Sequence, residues 1–152
     1  MKILLIGHGR MGRLMEQTAL SAGDQIGGVI DVGNLADLGT IGRVADVAID
    51  FSAPAALPAV ADYVRATGTP LLSGVTGLEA GQLAVFDELG RHAPVIHSAS
   101  HSLGIAVFRR ILGEVREVLG EFDVEIVETH HNQKADAPSG TAKLLLEAVD
   151  PA

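Results

Sequence analysis

A short run near the C-terminal end, Glu128-Thr129-His130-His131-Asn132-Gln133-Lys134-Ala135-Asp136-Ala137-Pro138-Ser139-Gly140-Thr141, gathers two imidazoles, an amine and a hydroxyl-glycine-hydroxyl turn. Histidine titrates near neutrality and is the natural proton donor in such company. The Pro138-Ser139 step reads as a helix start with Asp136 or Ser139 as its cap. The same exposed amides, at Gly140 and Thr141, can hold a carboxylate, with the hydroxyls of Ser139 and Thr141 as further donors and Lys134 and His131 as positive charge. The two uses are compatible, and the chemistry of the run is anion binding with proton donation. If His130 and His131 continue an extended segment, their side chains diverge to opposite faces. No carboxylate or cysteine stands at a spacing typical of zinc sites, so no metal site is expected.

A second group lies at the other end. Gly7-His8-Gly9-Arg10-Met11-Gly12 follows the apolar run Ile3-Leu4-Leu5-Ile6. Gly7 suits the tight turn, Gly9 the approach of a pyrophosphate and Gly12 the close packing of helix on strand. The pyrophosphate would sit on the helix N-terminus, where free N–H groups and the dipole favour negative charge. Asp31 stands near the roughly 20-residue interval at which an acid meets the adenosine ribose. A glycine turn alone is weak, but here a strand precedes it, a helix follows and the acid is in place. After Asp31 the next basic residue is Arg43, so NADH is favoured over NADPH; NADPH stays possible through Arg10 or Arg13.

The elements that must position these groups follow from periodicity. Residues 3–6 form a continuous apolar strand, and residues 9–22 a helix with Met11, Leu14, Met15 and Ala19 at helical spacing. Strands are expected at 26–30, 45–51, 69–73 and 94–98, and helices at 55–66 and 79–92, with Pro58 tolerated in a first turn. Five alternations predict an α/β fold with a doubly wound, parallel, Rossmann-type sheet. Ligands of such sheets bind at the strands' carboxyl ends. The segments there are Gly7 to Gly12, Asp31, Phe51-Ser52, Gly74-Val75-Thr76-Gly77 and Ser98-Ala99-Ser100-His101. The longest helix is expected over 103–119, and the alternation of Phe122, Val124 and Ile126 with acids predicts a half-buried strand over 122–129.

Composition narrows the function. The 152 residues carry a formal net charge of −8 with 3% aromatics, which argues against a nucleic-acid partner. Without cysteine, disulfide and thiolate chemistry are excluded and a cytoplasmic setting fits. The N-terminal apolar run is too short for a signal peptide or a membrane span, and no membrane partner is expected.

Together, the Glu128 to Thr141 run and the Gly7 to Gly12 turn closely resemble the dihydrodipicolinate reductase family. In its Glu-x-His-His-x-x-Lys-x-Asp-x-Pro-Ser-Gly-Thr motif every fixed position is matched: Glu128, His130, His131, Lys134, Asp136, Pro138, Ser139, Gly140 and Thr141. The resemblance implies a nicotinamide-dependent reductase of the lysine and diaminopimelate pathway, acting on the cyclic dicarboxylate 4-hydroxy-tetrahydrodipicolinate. It implies His130 as general acid, Lys134 as second catalytic residue, and His131, Ser139, Gly140 and Thr141 as substrate contacts. Gly74, Val75 and Thr76, and Ser98 to His101, would line the nicotinamide ribose and ring. Val75, Ser100 and Ala106 depart from the family's usual threonine, asparagine and asparagine. The resemblance further implies a dinucleotide-binding domain over 1–121, the beginning of an α+β substrate domain over 122–152, and a homotetramer. It also implies that the chain is a truncated form or that another subunit supplies the missing strands. The alternative from another class is a non-catalytic NAD(H)-binding module.

Overall fold

The computed structural model describes residues 1–130, 132 and 137–150. The chain divides into two compact units, Met1–Ser98 and Ala99–Ala152.

In the first unit strand and helix alternate: β1 (Lys2–Ile6), α1 (Arg10–Ser21), β2 (Gln25–Ile30), β3 (Val47–Asp50), α2 (Leu57–Thr67), β4 (Leu71–Ser73), α3 (Ala80–Leu89) and β5 (Val95–His97). Two 3-10 turns, Leu35–Gly39 and Pro54–Ala56, complete the connections, the second running directly into α2. Pro58 falls in the first turn of α2, where its missing N–H costs nothing. All strand pairs are parallel, in the order β2-β1-β3-β4-β5. The order reverses direction between β1 and β3. That reversal opens a crevice at the carboxyl ends.

The period of two along β1 feeds both faces of the sheet. Leu4 and Ile6 pack with Val60 and Val64 of α2 and with Phe86 and Leu89 of α3. Ile3 and Leu5 pack with Ala19 and Met15 of α1. Each fully buried aliphatic side chain contributes roughly 1.5–3 kcal/mol, so these layers hold the strand ends in place. Tyr63 of α2 is buried in the larger layer, with its hydroxyl accepting a hydrogen bond from Thr69 Oγ1 at 3.3 Å.

Registry carries the sheet's order into the site. Ile6 pairs with both Ile30 and Asp50, Asp50 with Ser73, and Ser73 with His97. Asp50, Ser73 and His97 therefore share one row and one face at the carboxyl end.

The second unit contains α4 (Leu103–Val118) and α5 (Gly140–Val149). The strand expected over 122–129 is absent. Its alternation encodes two faces, but a strand also needs a neighbour to take its N–H and C=O groups, and no strand occurs in this unit among the described residues. Phe122, Val124 and Val127 are exposed rather than half-buried. Ile105, Phe108 and Leu112 of α4 face Ile126 and the α5 residues Leu145 and Val149 across an apolar cavity of about 720 Å³.

Candidate functional site

The glycine turn is built by steric necessity. Gly7 has φ +85°, and a Cβ there would stand 2.6 Å from the backbone of Phe51 and Ser52. Its N–H donates to the Ile30 carbonyl at 2.8 Å, which ties the turn to β2. A Cβ on Gly12 would lie 1.9 Å from the Gly7 carbonyl oxygen, so only glycine lets α1 pack this closely. Gly9 differs: a Cβ there would meet nothing within 4 Å. Gly9 caps α1 without a side-chain hydrogen bond, so the first-turn amides are left for an incoming acceptor.

A cavity of about 320 Å³ lies at the reversal of strand order, lined among others by Gly7, Gly9, Asp31, Phe51 and Ser52. The open side of Gly9, the uncapped N-terminus of α1 and the acid at the end of β2 fit the pyrophosphate and ribose of a dinucleotide. Asp31 is held in its loop from both sides: Asn34 Oδ1 accepts from the Asp31 amide at 2.7 Å, and Asp31 Oδ1 accepts from the Val32 amide at 2.9 Å. His8, Arg10 and Met11, expected at the cofactor, do not line this cavity. The His8 ring turns back onto α1, with Nε2 2.7 Å from Glu16 Oε2.

The loops after β3 and β4 interlock. A Cβ on Gly74 would stand 2.2 Å from the Phe51 ring, so the ring lies directly on the glycine. The Gly74 amide donates to the Asp50 carbonyl at 2.8 Å, and the Ser98 amide to the Ser73 carbonyl at 3.1 Å. Val75 is buried, which accounts for a side chain without a hydroxyl there. Three residues that periodicity alone leaves unassigned stand beneath these loops: Asp50, Ser73 and His97. The signal for the first was an acid closing an otherwise apolar strand. Burial pushes the Asp50 carboxyl above the usual carboxylate range, against hydrogen bonds from Ser52 and Ser73 and the proximity of His97, which lower it.

Ala99, Ser100 and His101 belong to the second unit. There Ser139 caps α5 by accepting from the Ala142 amide at 2.9 Å. Glu128 holds that cap, accepting from the Ser139 amide at 2.7 Å and from its hydroxyl at 2.6 Å. His130 Nδ1 lies 3.7 Å from Glu128 Oε2. Ser100, His130, Ser139 and Thr141 border one cavity, the larger one between α4 and α5. The arrangement presents a helix N-terminus with hydroxyls and an imidazole, which is suited to a carboxylate and a proton. His131, Lys134 and Asp136 lie outside the described residues. Among the described residues no three potential metal ligands cluster, and no helix is long and apolar enough to cross a membrane.

Comparison with known proteins bears on both units. The family model described as dihydrodipicolinate reductase, N-terminus, matches residues 1–101, and its C-terminus counterpart matches residues 104–151. The chain belongs to the dihydrodipicolinate reductase family. Curated members named 4-hydroxy-tetrahydrodipicolinate reductase are similar to it. One from Acinetobacter baumannii (strain AYE) is 37% identical over 168 residues, covering 96% of this chain and 62% of that protein. One from Alkaliphilus metalliredigens (strain QYMF) is 38% identical over 154 residues, covering 99% and 63%. The chain thus spans under two thirds of the length of these relatives. A solved structure, the dipicolinate-bound dihydrodipicolinate reductase from Paenisporosarcina sp. TG-14, matches with a TM-score of 0.63 at 20% identity, covering 98% of this chain and 65% of that one. That likeness shows that the chain shares the fold of dihydrodipicolinate reductases, a parallel sheet flanked by helices.

Proposed function

We propose that the chain takes part in the nicotinamide-dependent reduction of 4-hydroxy-tetrahydrodipicolinate to tetrahydrodipicolinate. The observation that carries the reading is the N-terminus of α5, where Glu128 accepts from the amide and hydroxyl of the capping Ser139, in one chain with a glycine turn whose Gly9 side is open. Loss of water from the substrate gives a dihydropyridine; the reduced nicotinamide, when bound, supplies a hydride to its ring, and the resulting enamine takes up a proton. His130 supplies that proton. Lys134 stabilises charge on the substrate, and His131, Ser139, Gly140 and Thr141 bind its carboxylate. The amides of α1 hold the pyrophosphate, Asp31 the adenosine ribose, and the loops at Phe51, Gly74 to Thr76 and Ser98 to His101 the nicotinamide half.

NADH is the preferred cofactor in this reading, because no basic residue follows Asp31 before Arg43 to meet a 2′-phosphate. The substrate domain opens at about residue 122, and its assembly into a homotetramer, in the cytoplasm, belongs to the same proposal. A second reading, a nucleotide-binding module without turnover, is favoured by one observation: the 122–130 segment has no strand partner among the described residues.

A coupled assay separates the two. The substrate is generated in place by its synthase, the 152-residue chain is added, and NADH and NADPH oxidation are followed separately. NADH oxidation well above the NADPH rate is the expected result. A chain that binds NADH and oxidises none supports the non-catalytic module instead.

A further inference from the structure

Asp50 is the residue for which the proposed reaction has no use. Among the described residues it is the one acid or base with almost no exposed surface, at 1%. It does not line the cavity above it. A buried carboxylate is costly, and a neutral or apolar residue would fill the row more cheaply.

Its contacts show what it holds. Asp50 Oδ1 accepts from the Ser52 amide at 2.9 Å and from the Ser52 hydroxyl at 2.6 Å. Oδ2 accepts from the Ser73 hydroxyl at 3.4 Å, and Ser73 Oγ accepts in turn from the Val75 amide at 3.4 Å. Val75 is gripped from its other side, where His97 Nε2 stands 3.0 Å from the Val75 carbonyl and donates to it. The His97 ring is itself fixed by stacking on Phe86, with centroids 4.3 Å apart and planes 12° from parallel. One carboxylate thus sits under two loops, 51–53 and 73–75, that come from adjacent strands.

We propose that Asp50 is a positioning residue of the cofactor site, whose two carboxylate oxygens set the backbone of Ser52 and of Gly74-Val75 in the arrangement that receives the nicotinamide half of the dinucleotide. The inference rests on the dinucleotide reading above. A carboxylate accepts at both oxygens, so Ser52 and Ser73 must both donate to it. An asparagine keeps the shape and one acceptor. Its amide group in the Oδ2 position must donate, which reverses the Ser73 bond and makes Ser73 Oγ accept from that amide as well as from the Val75 amide, shifting the atom that orients Val75.

The test uses the full 152-residue chain as wild type, Asp50→Asn and Ser73→Ala. NADH binding is titrated by nicotinamide fluorescence, thermal melting is recorded, and amide NMR spectra are compared. For Asp50→Asn the expected result is a melting temperature equal to or above wild type, displaced amide signals at Ser52, Gly74 and Val75, and NADH affinity weakened on the order of tenfold, as loss of a charged hydrogen-bond partner implies. A purely structural role would lower melting and leave affinity of the folded protein unchanged. Wild-type affinity with unmoved amides in folded Asp50→Asn overturns the assignment and leaves the cofactor reading standing. Should Asp50→Asn not fold, Ser73→Ala decides: weakened binding by the folded variant supports the proposal and wild-type affinity overturns it. A well-folded wild type that leaves NADH unbound overturns the cofactor reading itself, and Asp50's role with it.

Discussion

Two side chains divide the chemistry at the residue scale. His130, beside Glu128 at 3.7 Å, is the proton donor of the proposed reaction. His130→Gln is expected to lower turnover about 10²-fold or more, the usual worth of a general acid, while NADH affinity, in which His130 has no part in the proposed reading, stays at the wild-type value. Steady-state rates and a fluorescence titration check the two halves. Asp50 affects stability through its ionisation. Burial raises its folded pKa above the unfolded value, so between the two the folded chain holds a proton that the unfolded chain has lost. Stability from this group is therefore greatest below the unfolded value and is lost as pH rises through the folded one. Urea midpoints of wild type should fall relative to those of Asp50→Asn as pH rises from the ordinary carboxylate range through the raised folded value, and parallel curves would contradict this.

At the scale of elements, α1 gives a contrast between two glycines of one motif. Gly12→Ala forces a Cβ against the Gly7 carbonyl, and a destabilisation of about 3 kcal/mol or more is expected. Gly9→Ala points into open space and should change stability by less than about 1 kcal/mol, yet weaken NADH binding, because in the proposed reading its methyl would stand against the pyrophosphate. Denaturant melts and titrations of both variants distinguish packing from binding. The alternation of strands and helices was readable because each apolar run has its own period, and Gly7, Gly9 and Asp31 line one cavity. The row of Asp50, Ser73 and His97 was not readable. It depends on which strands lie side by side and in what register, and periodicity is silent on both. The 122–129 segment failed for the same reason, since alternation names two faces and no partner. The His8 ring, at the glycine turn, lies against Glu16, a side-chain contact that periodicity does not encode.

At the scale of the whole molecule the two units are unequal. The first has a layered core on both faces of its sheet, whereas no residue of α4 is buried. Protection in native-state hydrogen exchange should accordingly be highest for amides of β1 and α2 and lowest along α4, and equal protection across both units would overturn this ordering. Tyr63 makes the difference visible to light. It is the chain's single tyrosine, there is no tryptophan, and it sits deep in the first unit. The second unit carries neither tyrosine nor tryptophan, only Phe108 and Phe122 besides its histidines, and is almost dark in the near ultraviolet. Phenol absorbance and emission thus report the melting of the first unit alone, and in a binding titration a reduced nicotinamide would glow against a background without any indole.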